Sequence, residues 1–283
     1  MKSLANSRIA VCFVGQSRTF RECAESINHF YSSTPAHNIQ YTFFGHTWDR
    51  NDYKVLNHVG GPYGPPETAK AAGNPYSTYQ HVVKDIHIPS LTTELHSRFH
   101  FADLVVEKAM EEEPFGWASI FYSTMRSNLL KQRYELQHNM MFDLVIKARY
   151  DVCYPEKLRF EDCWKGKPIE EKRLYSYLGF MNSEFYLPNI NDVHYCGTSL
   201  TMDLVDSMYH SLLNKSFAKL AHIDPECNPT FDHVGPGAMI YKWATLKNIM
   251  MTHHGIQSSV YRFHALGLRD FSAIYEADRA IYL

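Results

Sequence analysis

The chain opens on alternating apolar and polar blocks. Arg8 to Val14 (RIAVCFV) is a continuous β-rich apolar run closed by Gly15, the pattern of a buried strand. A polar turn from Gly15 to Thr19 follows. Phe20, Cys23, Ala24, Ile27 and Phe30 then recur at the three- and four-residue spacings of one helix face. Ile39 to Phe44 (IQYTFF) reads as a second strand that ends in the loop Gly45-His46-Thr47-Trp48-Asp49, and Asp103 to Glu107 reads as a third. Trp117 to Met140 predicts a long helix whose apolar stripe is Tyr122, Met125, Leu129, Leu136 and Met140. Phe142 to Ala148 is the most strand-like core segment and ends at Arg149-Tyr150-Asp151. Beyond it, Leu174 to Leu178 and Glu184 to Leu187 predict short antiparallel strands. Leu200 to Leu213 and Gly237 to Lys247 predict helices, and Asn248 to Thr252 and Ser258 to His264 further strands.

This order, strand and helix alternating and then short strands mixed with helices, predicts an α/β fold. The expected core is a mostly parallel, Rossmann-like sheet flanked by helices, with a mixed α+β region in the second half. A length of 283 residues suits a single domain spanning the chain, read as halves 1–155 and 156–283. The Gly- and Pro-rich stretch 60–77 (GGPYGPPETAKAAGNPYS) has no apolar period and predicts an irregular insertion.

Charge and cysteine usage narrow the class. A net charge of −2 and a pI near 6.8 argue against a nucleic-acid or anionic-membrane protein by bulk electrostatics, although a local basic face stays open. The segment Met1 to Arg8 carries no signal-peptide apolar region, and no run of about 18 apolar residues marks a membrane span. The six cysteines form no C-x-x-C pair. The expectation is a soluble protein in a reducing, cytoplasmic setting.

In open α/β sheets, ligands bind outside the carboxyl ends of the strands. Three polar clusters fall there: Gln16-Ser17-Arg18, His46 to Asp49, and Arg149-Tyr150-Asp151. Asp151 is placed either to hold Mg²⁺ or Mn²⁺ through oxygen ligation or to cap a turn. Arg149 is placed to neutralise phosphate or to form a salt bridge. The Gln16–Arg18 loop would wrap a diphosphate or serve as an ordinary strand–helix turn. Trp48 and His46 would stack on a base or sugar, or close the sheet edge. Neither G-x-G-x-x-G nor a Walker loop follows the first strand, which disfavours dinucleotide and ATP P-loop readings. In the second half, Asp192, Glu226 and Asp232 are the candidate general bases. Of the late histidines His253 and His254, His254 is the candidate to complete a metal site.

The segments IAVCFVGQSRTF, FFGHTWD and FDLVIKARYDVCY resemble a family of bacterial and phage nucleotide-sugar glycosyltransferases with the GT-A fold; PEC…HVGPGAMIYKWA fits more loosely. The resemblance implies a UDP-linked or other nucleotide-diphosphate sugar donor and a hydroxyl acceptor, a saccharide by the first expectation. It also implies a divalent cation. The acidic residue at the end of the family's central strand lands on Asp151, and its nucleotide-contacting first loop on Gln16, Ser17 and Arg18. Many such enzymes carry D-x-D, but here Arg149 stands in the first aspartate position, which leaves metal dependence open. The alternative is a phage enzyme that glycosylates hydroxymethyl pyrimidines in DNA, with a basic groove sought at 60–77 and at Lys165 to Arg173.

Overall fold

The computed structural model describes residues 4–56, 79–87, 90–108, 118–154, 158–164, 166, 168–180, 188–213, 236–253 and 259–260. The strands are β1 (Arg8–Val14), β2 (Gln40–Trp48), β3 (Arg50–Leu56), β4 (Tyr79–His87), β5 (Asp103–Glu107), β6 (Leu144–Arg149), β7 (Val152–Cys153), β8 (Arg173–Phe180), β9 (Pro188–Gly197), β10 (Met250–His253) and β11 (Ser259–Val260). The helices are α1 (Phe20–Phe30), α2 (Leu91–Phe99), α3 (Ala118–Gln137), α4 (Phe160–Trp164), α5 (Ser199–Asp206), α6 (Met208–Leu213) and α7 (Pro236–Leu246). The chain divides into two compact units, one of residues 1–50 and 87–261, the other of residues 51–86 and 262–283. In the second, β3 and β4 pair as a two-stranded sheet.

The first unit is built on a seven-stranded sheet in the order β10-β8-β9-β6-β1-β2-β5. The pairs β1–β2, β1–β6, β2–β5 and β10–β8 are parallel, and β9 runs antiparallel to both β6 and β8. The α/β class, the mostly parallel sheet and the helices on both faces agree with the sequence reading. The expected strand Glu184–Leu187 lies outside the described residues; the strand that pairs antiparallel with β8 is β9, which begins after it. Strands β8, β9 and β10 come from the second half of the chain and extend the sheet begun by the first. The expected helix Leu200–Leu213 is two helices broken at Ser207, and the expected insertion 60–77 lies outside the described residues.

Strand β1 is buried from Ile9 to Val14, as a central strand covered on both faces must be. Ile9, Val11 and Phe13 face one core, which α1 closes with Phe20, Cys23, Ala24, Ile27 and Phe30, the five residues of the expected helix face. Ala10 and Cys12 face the other core, under α3, α5 and α7.

Helix α3 departs from the pattern read in the sequence. Leu136 is 82% exposed and Leu129 43% exposed, whereas Ser123, Ser127, Lys131 and Glu135 are buried. The i, i+4 polar row faces inward because α5 presents polar partners. Lys131 Nζ donates to Ser199 Oγ (2.6 Å) and Asp203 Oδ1 (2.8 Å), and pairs with Glu135 Oε2 at 3.0 Å. Burial opposes the ammonium charge, but Asp203 and Glu135 outweigh it and hold Lys131 above the ordinary lysine range.

Candidate functional site

The sheet order fixes where a ligand cleft belongs. From β1 the chain moves outward to β2 and then β5, and returns to β6 on the opposite side of β1. The direction of winding therefore reverses between β1 and β6, and such a switch point opens a crevice at the carboxyl ends of the two strands. Register puts Val14 beside Arg149, so the turn after β1 and the end of β6 lie side by side at that edge.

Two of the expected clusters meet there. Gly15 adopts φ +88°, a conformation glycine takes without a Cβ penalty, and turns the chain out of β1. Arg18, at φ +31°, is held in the left-handed region that L side chains avoid. Its Nε donates to Gln16 Oε1 at 2.8 Å, and its Nη1 lies 3.5 Å from Asp151 Oδ2. Arg149 grips the same carboxylate from the other side, Nε to Oδ1 and Nη2 to Oδ2, both at 2.7 Å. Ser17 is fully buried, and its carbonyl accepts the Phe20 amide at 2.8 Å, which starts α1. The result is a fork-on-carboxylate pair with a second guanidinium against it: two positive groups on one negative one. Solvent reaches them unequally. The side chain of Arg18 is 15% exposed, that of Arg149 9%, and that of Asp151 is closed off.

The partners of Asp151 are arginines. The carboxylate stands at the strand end, but both its oxygens accept from guanidinia, and two adjacent positive charges repel a divalent cation. The donor set at Asp151 does not fit Mg²⁺ or Mn²⁺. Among the described residues no group of three His, Cys, Asp or Glu side chains is gathered to hold a metal.

The second strand differs from its expected form as well. The segment His46 to Trp48 is not a loop, because β2 continues through Trp48 and pairs with β5 from Phe44↔Asp103 to Trp48↔Glu107. Trp48 is 4% exposed, packed on Tyr122 with centroids 5.5 Å apart and edge-on to His46 at 4.9 Å, so it closes the sheet edge and offers no face to a base. His46 is wholly buried. Its Nδ1 lies 2.9 Å from Ser123 Oγ, and the same hydroxyl accepts the Gly15 amide at 2.7 Å. His46 Nε2 is 3.5 Å from Glu107 Oε2. Burial pulls His46 down to about 4, so it is neutral at physiological pH and its approach to Glu107 is not an ion pair. Burial also opposes ionisation of Glu107, but the Tyr122 hydroxyl and Arg126 outweigh it and leave that carboxyl below its usual range.

Ser123 is therefore the residue that ties the β1 turn to β2, and the apolar reading of α3 passed over it. Its signal in the sequence is the row Ser123, Ser127, Lys131 and Glu135 at four-residue spacing. Of the acceptor-side candidates, Asp192 lies in β9. Because β9 is antiparallel to β6, its early residues belong to the edge where β6 ends. Glu226, Asp232 and His254 lie outside the described residues, as does part of Lys165 to Arg173. A shallow groove lined by Arg173, Tyr241, Asn248 and Met250 sits where β8 and β10 begin, the edge opposite the one parallel-strand chemistry uses. No helix among the described residues is long and apolar enough to cross a membrane. Compared with known proteins, the chain matches no family model and no curated protein sequence.

Proposed function

We propose that the chain is a glycosyltransferase with a GT-A-like site, moving a sugar from a nucleotide-diphosphate donor to a hydroxyl acceptor. One observation carries the reading. The Gln16–Arg18 turn and the Arg149–Asp151 pair converge at the β1/β6 switch point, through contacts of 2.7 to 3.5 Å. In this reading the diphosphate docks against Arg18, the more exposed of the two arginines, with Arg149 behind it and Asp151 holding both forks in place. The acceptor oxygen attacks the anomeric carbon, the bond from that carbon to the diphosphate breaks, and the leaving group departs with the electron pair. Arg18 and Arg149 stabilise the charge that develops on it. The acceptor proton passes to a carboxylate, for which Asp192 and Glu226 are the candidates. The arginines supply the electrostatic work that a D-x-D-bound cation performs elsewhere, so no step here runs through a metal.

The test is a screen of nucleotide sugars for hydrolysis, run with Mn²⁺ and with a chelator. The expected result is free nucleoside diphosphate in both arms and at least a tenfold loss in Arg18→Ala. Pyrophosphate among the products would mean nucleotidyl transfer instead, and a failure to consume or bind any nucleotide sugar would sink the reading.

A further inference from the structure

We propose that Cys23 and Cys153 are an oxidation site, a dithiol that hydrogen peroxide closes to a disulfide joining α1 to the segment just beyond Asp151. The two sulfurs lie 3.3 Å apart, sharing a hydrogen bond, although 130 residues separate them in sequence. A disulfide needs about 2.05 Å, so closure asks for a movement of little more than an ångström, within the reach of side-chain rotation. The backbones are already latched: Ser26 Oγ accepts the Tyr154 amide at 2.7 Å and donates to the Tyr154 carbonyl at 3.0 Å.

The two thiols are not equivalent. Cys153 is partly exposed and Cys23 fully buried. The hydrogen bond shared with Cys23 holds the Cys153 thiol below its ordinary range, and that same bond, with burial, pushes Cys23 up. Cys153 is therefore the attacking sulfur and Cys23 the resolving one. The other described cysteines, Cys12, Cys163 and Cys196, are buried, and burial pushes Cys12 up to about 12.

In the first step the Cys153 thiolate attacks a peroxide oxygen. An S–O bond forms, the O–O bond breaks, and the departing hydroxide takes a proton to become water. In the second step Cys23 attacks the sulfenic sulfur. The S–S bond forms, the S–O bond breaks, and the hydroxide released takes the Cys23 proton. Two thiols and one peroxide give one disulfide and two waters, the sulfurs oxidised and the peroxide oxygens reduced. Because α1 begins directly after the Gln16–Arg18 turn and Cys153 follows Asp151 by two residues, the bond would tie together the two segments that meet at the switch point. The oxidation chemistry itself does not depend on what that point binds.

The experiment is mass spectrometry of the full chain after treatment with stoichiometric hydrogen peroxide. The expected result is a loss of about two daltons, a Cys23 peptide linked to the Cys153 peptide in a non-reducing digest, and reversal by dithiothreitol. Cys153→Ser removes the link, and Cys23→Ser stops at a sulfenic acid that dimedone traps on Cys153. Circular dichroism checks that the variants fold; where one does not, the digest of the unaltered chain decides. A Cys153 that stays reduced, proceeds to sulfinic acid, or links to another cysteine overturns the proposal.

Discussion

The two faces of the central sheet are built on different principles. Under α1 and α2 the interior is aromatic and apolar: Phe13 packs on Phe99 and Tyr150 at 5.3 Å, and Phe30 stacks on Tyr154 at 3.8 Å. Under α3 and α5 it is ribbed with polar groups, His46, Ser123, Ser127, Lys131, Lys147 and Asp206 among them. The first face is held by burial of apolar area, which is non-directional and tolerates shape-conserving change. The second is held by paired charges and hydrogen bonds, which tolerate the loss of a partner poorly. The polar face is also the one whose strand positions run out to Arg149 and His46.

The sharpest way to break this contrast is Lys131→Ala. Removing the ammonium leaves Glu135 and Asp203 without their shared cation, and the expected loss is about 3–5 kcal/mol, read as a lower urea midpoint at unchanged slope. Next in size is the pH dependence of His46. Folded, it titrates at about 4 against 6.5 for an ordinary histidine, so the unfolded chain binds the extra proton between those values. Stability contributed by neutral His46 is present above pH 6.5 and is lost as pH falls towards 4, by roughly 3 kcal/mol at most. Urea titrations at several pH values should show that slope, and His46→Gln should flatten it.

On the apolar face, Gly45→Ala should cost about 1–3 kcal/mol. An added Cβ would meet the Tyr150 hydroxyl at 2.5 Å and Leu104 Cδ1 at 2.7 Å, with Phe101 behind them. A melting temperature unchanged by this substitution would mean that the aromatic layer has slack. The smallest effect is at the surface. Arg21 pairs with Glu94 at 2.6 and 2.9 Å across α1 and α2, but the Arg21 side chain is 43% exposed, and Arg21→Ala should cost less than about 1 kcal/mol.

The same contrast explains what the sequence made legible. Helix α1 was read correctly because its buried face meets only apolar neighbours, so hydrophobic period and burial coincide. Helix α3 was misread because Ser199 and Asp203, which make its polar face the inward one, lie some 70 residues further along the chain. Strand β2 was ended too early for a related reason. Its apolar run stops at Phe44, but the ladder to β5 continues over His46 and Thr47, whose burial a hydropathy pattern does not register. That polar clusters follow the carboxyl ends of three strands was legible in the order of elements; which strands stand side by side, and so where the switch point falls, was not. Nor was it legible that Arg149 would fork onto Asp151, because Asp151 lies in the turn beyond β6, where sequence spacing does not set a side chain's direction. That fork, with Arg18, gives the carboxylate two guanidinium partners.

The proposed function requires that the β1/β6 switch point receive a diphosphate. Isothermal titration of a nucleoside diphosphate into the chain in the presence of a chelator, repeated with Arg18→Ala, tests it most directly. Binding to the unaltered chain, weakened at least tenfold by the substitution, agrees with the site described. Binding that is indifferent to Arg18, or that appears only when Mn²⁺ is restored, would contradict it.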